Sequence, residues 1–242
     1  MTGPKGRMSG LATQAERRRG VRALRAAKPC EVLDSPLLRE KMLIQIFVLL
    51  FAVVVHECCH GWMAEKCGDD TARIMGRITL NPLPHLDPFG SILLPLLLIL
   101  SRSPFLFAWA KPVPINPTKF NNLRQDLVKV ALAGPGANFL LAVISAIFLW
   151  FVPRGLVFYD TLNFSVLINL VLGVFNLIPI PPLDGSRVVS GLLPLDLSYK
   201  YDSLAPYGFI IVIFLFYSGF LGSVLWPIVV FLHRLLLIGI KF

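Results

Sequence analysis

The chain has 242 residues, of which 55% are hydrophobic and only 15% are charged, and its mean hydropathy is +0.70. A soluble domain of this length needs more charge to wet its surface, so the composition excludes an ordinary soluble protein. The net charge of +9 is unevenly placed, because Lys and Arg are concentrated before residue 41. That basic stretch has too little apolar content to fold alone, and we predict that residues 1–41 are a disordered N-terminal extension.

Long apolar runs in the rest of the chain approach or exceed the ~20 residues needed to cross a bilayer. We therefore predict an all-α polytopic membrane protein with about four to five transmembrane helices. The first helix is expected over Leu43–Lys66 and the second over Leu127–Phe151. The third begins near Leu162 and ends in a proline-rich sequence at 176–185. The last run, Tyr207–Ile240, is expected to break at Gly219–Gly222 or at Pro227.

The segments between the spans have three features of their own. Thr71–Leu80 contains β-branched residues and could form one or two short strands, a membrane-associated β element. Asn81–Gly90 is too rich in proline for regular structure. The apolar stretch Ser91–Ala110 is interrupted by Pro95 and by Ser-Arg-Ser-Pro at 101–104, so neither half can span. We predict a re-entrant segment there, which membranes tolerate where the backbone is buried in protein.

The most informative sequence is His-Glu-Cys-Cys-His at residues 56–60. Positions i and i+4 share one face of a helix, so the imidazoles of His56 and His60 can reach one metal ion. Glu57 is placed to act as a general base on a water molecule that a zinc ion activates. Two histidines and a carboxylate are costly inside a membrane span, which favours a functional role. Cys58 and Cys59 are neighbours inside an apolar helix, where free thiols are expected to behave as small hydrophobes.

A catalytic zinc ion needs at least one further protein ligand. Asp184 is a candidate because it follows a proline-broken helix, although it could instead cap a helix end. His85 and Asp87 lie in the proline-rich loop and could surround the ligands or simply face water. His233 lies near the C-terminus, where an interfacial position is expected rather than a metal ligand.

Three motifs occur in order along the chain, and two further segments accompany them. The motifs are His-Glu-Cys-Cys-His at 56–60, Ala-Gly-Pro-Gly-Ala-Asn at 133–138 and Asn-Leu-Ile-Pro-Ile-Pro-Pro-Leu-Asp-Gly at 176–185. With these motifs the chain resembles the site-2 protease family of intramembrane zinc metalloproteases. Asn81–Gly90 and Ala110–Pro117 resemble a compact bacterial and archaeal branch without PDZ or CBS domains.

The resemblance implies that residues 42–242 form one intramembrane metalloprotease domain that binds one Zn²⁺. His56, His60 and Asp184 would be the zinc ligands and Glu57 the general base on zinc-bound water. Asn138 would lie near the active site and orient the substrate or stabilise the oxyanion. The partners would be transmembrane segments of other membrane proteins and the lipid bilayer, and no nucleic acid is expected. A strand at Ile74–Leu80 could receive an unwound substrate by edge pairing.

The resemblance also places the metal site toward the cytosol of a prokaryotic plasma membrane. Most loop cations would then be cytosolic, with Arg154 outside, which satisfies the positive-inside rule. The basic tail would lie outside, which the rule disfavours. Relatives in this branch tend to begin at a sequence like that at Met42, so residues 1–41 could be absent from the native protein. Alternatively, the tail is native and the orientation is inverted or strained.

Two other classes of function are compatible with intramembrane histidines. A metal transporter would place more ligands along a pathway and often has paired repeats, whereas this sequence has one clustered site and no repeat. A non-catalytic membrane scaffold would not need Glu57. The sequence therefore favours a protease that hydrolyses peptide bonds in or near transmembrane segments.

Overall fold

The computed structural model describes residues 36–101 and 109–238. The chain divides into two compact units, Met1–Ile46 and Phe47–Phe242, and the contacts described below lie in the second. The α-helices of the described residues are α1 Pro36–Lys66, α2 Thr71–Ile74, α3 Leu94–Leu100, α4 Leu123–Leu149, α5 Val157–Asn176, α6 Asp184–Leu192, α7 Leu195–Asp202, α8 Ala205–Tyr217 and α9 Phe220–Leu236. Residues 1–35 of the predicted extension lie outside the described residues, and residues 36–41 belong to α1.

Three of the described helices are long and apolar enough to cross a bilayer, namely Glu40–Lys66 within α1, α4 and α5. Helices α8 and α9 meet the same criterion together, although they are bent by 77° at the break between them. The described residues thus hold three membrane-capable helices, or four if the bent pair is one span. Large apolar side chains such as Leu140, Ile147 and Phe148 face outward on α4. These features confirm a mostly helical, integral membrane protein.

The main core lies where α4, α5 and α9 meet. Its α4 side is formed by Ala142 and Ala146, one helical turn apart, and small residues at this spacing let membrane helices approach closely. The other buried members are Leu149, Val166, Leu170, Val229 and Leu237. Ser145 and Ser165 add a hydroxyl–hydroxyl hydrogen bond of 2.9 Å between α4 and α5. This packing fixes α5 against α4, which matters for the metal site below.

The ends of the functional helices agree with the prolines and glycines in the sequence. Helix α1 ends at Lys66, as predicted, and the proline-rich motif separates the end of α5 at Asn176 from the start of α6 at Asp184. The last apolar run breaks at Gly219, whose φ of +75° is the left-handed conformation that glycine favours. Pro227 lies inside α9 without ending it.

The β element predicted over Thr71–Leu80 is not seen there. Thr71–Ile74 instead forms the single turn α2, because the Asp69 carboxylate accepts a 3.0 Å hydrogen bond from the Thr71 amide and another from its hydroxyl. Gly76, with φ of +63°, ends the turn, and the following residues to Leu80 are irregular. Local hydrogen bonding at the helix start has overridden the β-branched composition.

The proline-rich segment after residue 80 folds into short helical turns. A 3₁₀ turn covers Leu83–His85, and a π-helical turn covers Pro88–Leu93 and leads into α3. Residues 102–108, within the predicted re-entrant segment, lie outside the described residues. On the far side of that gap, the Trp109 amide donates to the Gly90 carbonyl at 3.2 Å, and the Lys111 amide donates to the His85 carbonyl at 2.8 Å. The two ends of the segment are therefore joined by backbone hydrogen bonds.

Candidate metal centre

Three side chains from two distant parts of the chain converge beside the C-terminal half of α1. His56 Nε2 and His60 Nε2 are 3.0 Å apart, and Asp184 Oδ2 lies 3.1 Å from each of them. All three residues are buried, with exposed fractions below a tenth. Within residues 36–101 and 109–238 this is the one cluster of three or more His, Cys, Asp or Glu groups able to share a metal ion. The helical i, i+4 spacing brings the two imidazoles onto one face.

The outer nitrogens of both imidazoles are occupied. His60 Nδ1 lies 2.7 Å from the Val130 carbonyl, which can only accept, so this nitrogen carries the proton. His56 Nδ1 lies 2.6 Å from Asn138 Oδ1 and donates to it in the same way. In a neutral imidazole the inner Nε2 then presents a lone pair. Both lone pairs face the carboxylate oxygen of Asp184, so three acceptor atoms meet with no proton between them.

This arrangement fits a bound cation and in particular zinc. Two imidazoles and one carboxylate are a catalytic zinc donor set, and they leave one position of a tetrahedron open. Ligand atoms around a tetrahedral zinc ion are roughly 3.3 Å apart, close to the 3.0–3.1 Å seen between these atoms. Hydrogen bonds from the outer nitrogens to a carbonyl or amide oxygen are the usual support for zinc-binding histidines.

Gly134 makes room for the two imidazoles. A Cβ at this position would overlap His60 Nε2 and would lie 2.6 Å from His56 Nε2. Pro135 follows inside α4 and cannot donate to the carbonyl of Ala131, so the helical ladder is interrupted in the same turn. The Val130 carbonyl that accepts from His60 belongs to this turn. Gly134 and Pro135 therefore bring the α4 backbone against His56 and His60.

Asp184 is the first residue of α6, and its side chain points at the two histidines, with Oδ2 3.1 Å from each Nε2. Its position is set by the next residue, because a Cβ at Gly185 would overlap the Leu177 carbonyl oxygen and lie 2.6 Å from that of Ile178. The start of α6 thus packs directly on the end of α5 and aims the carboxylate at α1.

Glu57 lies beside the metal ligands but points to another element. Its Oε2 accepts a 2.8 Å hydrogen bond from the amide of Val113, which is 5% exposed. Val113 belongs to the extended segment that follows Trp109. This hydrogen bond fixes the direction of the carboxylate, and Glu57 itself is half-buried.

The other sequence candidates occupy different surroundings. Asn138 contacts His56 and is completely buried, and its Nδ2 donates to Asn169 at 2.9 Å and to the Ala52 carbonyl at 3.4 Å. His85 Nε2 donates to the Thr79 carbonyl at 2.9 Å and lies 3.9 Å from the sulfur of Cys58. Neither of these contacts is with His56, His60 or Asp184.

Two further candidates make local contacts. Asp87 Oδ1 accepts from the amides of Phe89 and Gly90, which caps the π-helical turn. His233 lies 3.2 Å from Asn163 on α5 and outside the metal cluster. Neither contact involves the metal ligands.

Sequence reasoning did not single out Asn169, Arg77 or Val113. Asn169 is an amide inside an apolar span, and a polar residue at such a position was a usable signal. Arg77 is a cation that is only 7% exposed, and its Nη2 donates to the carbonyls of Lys111 and Pro112 at 2.9 and 3.1 Å. Val113 acts through its backbone amide, for which the sequence carries no signal.

Comparison with known proteins agrees with this site. The family model described as Peptidase family M50 matches residues 44–158 and 154–216. "Putative zinc metalloprotease YwhC" of Bacillus subtilis is 39% identical over 191 residues, which are 75% of this chain and 84% of that protein. "Putative zinc metalloprotease Rip2" of Mycolicibacterium smegmatis is 30% identical over 70% of this chain and 67% of that protein. The solved site-2 protease from Methanocaldococcus jannaschii is 21% identical, with a TM-score of 0.40 over 81% of this chain and 75% of that one.

The chain belongs to peptidase family M50, the site-2 protease family. This membership confirms the predicted class, an intramembrane zinc metalloprotease. The roles of the individual residues and the membrane orientation remain predictions.

Proposed function

We propose that this protein hydrolyses peptide bonds in or near transmembrane segments of membrane proteins, with His56, His60 and Asp184 as its zinc ligands. The observation that carries the proposal is that His56 Nε2, His60 Nε2 and Asp184 Oδ2 are buried within 3.1 Å of one another. The carboxylate of Glu57 follows His56 directly on α1. Residues 42–242 form the catalytic domain in this proposal, and the family match over residues 44–216 supports it.

Glu57 is the general base of the proposed reaction. Zinc, when bound, polarises the scissile carbonyl and lowers the pKa of a coordinated water to about 7. Glu57 Oε1 takes a proton from the attacking water and returns it to the leaving nitrogen. The Val113 amide holds Oε2 and keeps the carboxylate oriented through both transfers. Asn138 orients His56 in this scheme, because both hydrogen-bonding ends of its amide are already engaged.

The test is cleavage of a tagged single-pass membrane protein co-expressed with wild type or with Glu57→Gln. Glutamine keeps the shape and can still accept from Val113, but it cannot take the proton. We expect cleavage to fall by about 10²- to 10⁴-fold while the zinc content of the purified variant stays at the wild-type level. Equal cleavage by both forms would contradict this mechanism and would favour a role in metal transport or as a scaffold.

We also propose that the metal centre faces the cytosol. The Asn121 amide donates to the Cys67 carbonyl at 3.0 Å, and Arg124 donates to the Gly191 carbonyl, so the end of α1, the start of α4 and α6 lie together. Most of the cations that flank the spans belong to this end, namely Lys66, Arg73, Arg77, Lys111, Lys119, Arg124, Lys129, Arg187 and Lys200. Arg154, between α4 and α5, is at the opposite end, which agrees with the positive-inside rule. Reporter fusions at Lys200 and Arg154 should report the cytosol and the outside, respectively.

The segment from Ser91 to Ala110 is proposed to be re-entrant. Support comes from the hydrogen bonds that join its ends, including one of 2.7 Å from the Ser91 hydroxyl to the Trp109 carbonyl. Single cysteines placed at Phe89 and at Lys111, both exposed, should react with an impermeant thiol reagent from the same side of the membrane. Reaction from opposite sides would make the segment a full span.

A further inference from the structure

A line of buried amides runs from the middle of α5 to the metal ligand His56. Asn169 on α5 is 1% exposed, and its Oδ1 accepts a 2.9 Å hydrogen bond from Asn138 Nδ2 on α4. Asn138 is 0% exposed, and its Oδ1 accepts from His56 Nδ1. On the other side, Asn169 Nδ2 donates to the Ser165 carbonyl at 2.9 Å. Three helices are therefore connected by side-chain hydrogen bonds that end at the metal ligand.

The Ser165 carbonyl, where this line of hydrogen bonds begins, determines which group donates in each of the bonds that follow. The Ser165 carbonyl can only accept, so Asn169 must turn its NH₂ group toward it. The Asn169 oxygen then faces Asn138, which must donate a hydrogen bond from its own NH₂ group. The Asn138 oxygen consequently faces His56 and requires a proton on Nδ1. A lone pair is left on Nε2, the atom that meets Asp184 and His60.

We propose that Asn169 is a positioning residue that sets the tautomer of His56 through Asn138, and so prepares the site for its metal. The inference rests on the proposed zinc site and adds a residue whose hydrogen bonds reach His56 only through Asn138. Without the Asn169 oxygen, Asn138 Nδ2 keeps only the 3.4 Å contact with the Ala52 carbonyl. The Asn138 amide can then turn over and donate to Nδ1, which moves the imidazole proton to Nε2 and blocks metal binding.

The first variant is Asn169→Leu, with zinc affinity measured by competition against a chelator in detergent. We expect zinc to bind about 10- to 100-fold more weakly than in wild type, the usual cost of losing a partner of a metal-binding histidine. Asn163→Leu is the matched control, because Asn163 lies on the same helix and contacts His233 instead of Asn138. Its zinc affinity should equal that of wild type. An unchanged affinity in Asn169→Leu, or an equal loss in Asn163→Leu, would overturn the proposal.

The second measurement separates a tautomer effect from simple loss of packing. Asn138→Asp supplies an oxygen to His56 whichever way the carboxylate turns, so it no longer needs Asn169 to hold its orientation. In the Asn138→Asp background the Asn169 oxygen faces a carboxylate oxygen and repels it, so removing the Asn169 oxygen should strengthen zinc binding. We therefore expect Asn169→Leu to weaken zinc binding in the wild-type background and to strengthen it in the Asn138→Asp background. A merely structural role predicts weaker binding in both backgrounds, and that result would overturn the proposal.

Zinc binding by the wild type distinguishes a failure of the proposed function from a failure of the role of Asn169. If wild type bound no zinc, the proposed function itself would be wrong. If wild type bound zinc and Asn169→Leu bound it equally well, only the role of Asn169 would be lost.

Discussion

Two polar regions of the molecule are built from different kinds of contact. In the metal corner, formed by His56, His60, Asn138 and Asp184, side chains mainly meet side chains from other helices. In the proline-rich strap, residues 77–90 and 109–116, side chains mainly meet backbone groups. Arg77 donates to carbonyls of residues 111 and 112, His85 donates to the Thr79 carbonyl, and the Val113 amide donates to Glu57.

The difference is one of completeness as well as kind. Both ring nitrogens of His56 and of His60 have a neighbour in the metal corner. In the strap, Arg77 Nε and His85 Nδ1 are buried without a hydrogen-bond partner among the described residues. The corner is therefore expected to tolerate almost no change of shape. Changes in the strap should lower activity by degrees, because the strap contacts Glu57 through a single backbone amide among the described residues, that of Val113.

The largest effect is expected from Gly134→Ala. The new methyl group would overlap His60 Nε2 and crowd His56 Nε2, and neither imidazole can move without losing its outer hydrogen bond. We expect zinc binding to fall below detection and cleavage to be lost. Zinc content by elemental analysis of the purified variant is the measurement.

Gly136→Ala provides the control for that experiment. Gly136 lies two residues further along α4, and a Cβ there meets nothing within 4 Å. Zinc content and cleavage should match wild type, since alanine also favours the helix. Normal zinc content in Gly134→Ala would show that the α4 backbone does not limit the metal corner.

The metal corner was the part of the site most open to prediction. The spacing of His56 and His60 follows from helix geometry alone, and the resemblance added Asp184, which the structure brings to the same point. Membrane-capable helices were equally accessible, because bilayer thickness imposes their length. The support behind the ligands was not accessible, since which amide meets which depends on how α4 and α5 pack. Asn169 gave only the general signal of a polar residue in an apolar helix.

The strap was harder to predict because its contacts are with backbone groups. The composition of Thr71–Leu80 favoured strands, but one buried carboxylate, that of Asp69, stabilises a helical turn at its start. From the sequence alone, Asp87 and His85 could either surround the ligands or face water. In the structure Asp87 caps a helical turn, and His85 contacts Thr79 and Cys58. Residue type alone does not distinguish a polar group that holds a loop from one that holds a metal.

A smaller effect is expected from Arg77→Met, which keeps the apolar stem and removes the guanidinium that binds the Lys111 and Pro112 carbonyls. The Val113 amide would then hold Glu57 less firmly, and we expect cleavage to fall on the order of 10-fold while zinc affinity is unchanged. Arg73→Met is the control, because Arg73 is exposed and pairs with Glu65 in a surface ion pair of little energetic value. A loss of zinc in Arg77→Met would show that the strap also supports zinc binding, and would contradict this prediction.

The smallest effect concerns stability and is expected from Asp69→Asn, because Asp69 binds the last residue of the strap, Asn116. Asp69 is completely buried, and its carboxylate accepts from Thr71 and, at 2.6 Å, from the Asn116 amide. The variant should unfold more easily in detergent by about 1–3 kcal/mol at pH 7. Asp70→Asn, which loses only an exposed pair with Lys119, should change stability by less than about 1 kcal/mol.

The pH dependence of the same variant gives a sharper test. Burial raises the pKa of Asp69, but the hydrogen bonds from Thr71 and the Asn116 amide outweigh it and hold the pKa below its ordinary value. A carboxyl with a lowered pKa stabilises the fold fully above its unfolded pKa of about 3.9, and loses that contribution as the pH falls through the folded value. The difference in melting temperature between wild type and Asp69→Asn should therefore be constant above about pH 5 and shrink below about pH 4. A difference that persisted unchanged in acid would mean that the asparagine disturbs the strap by its shape and that the charge of Asp69 contributes nothing.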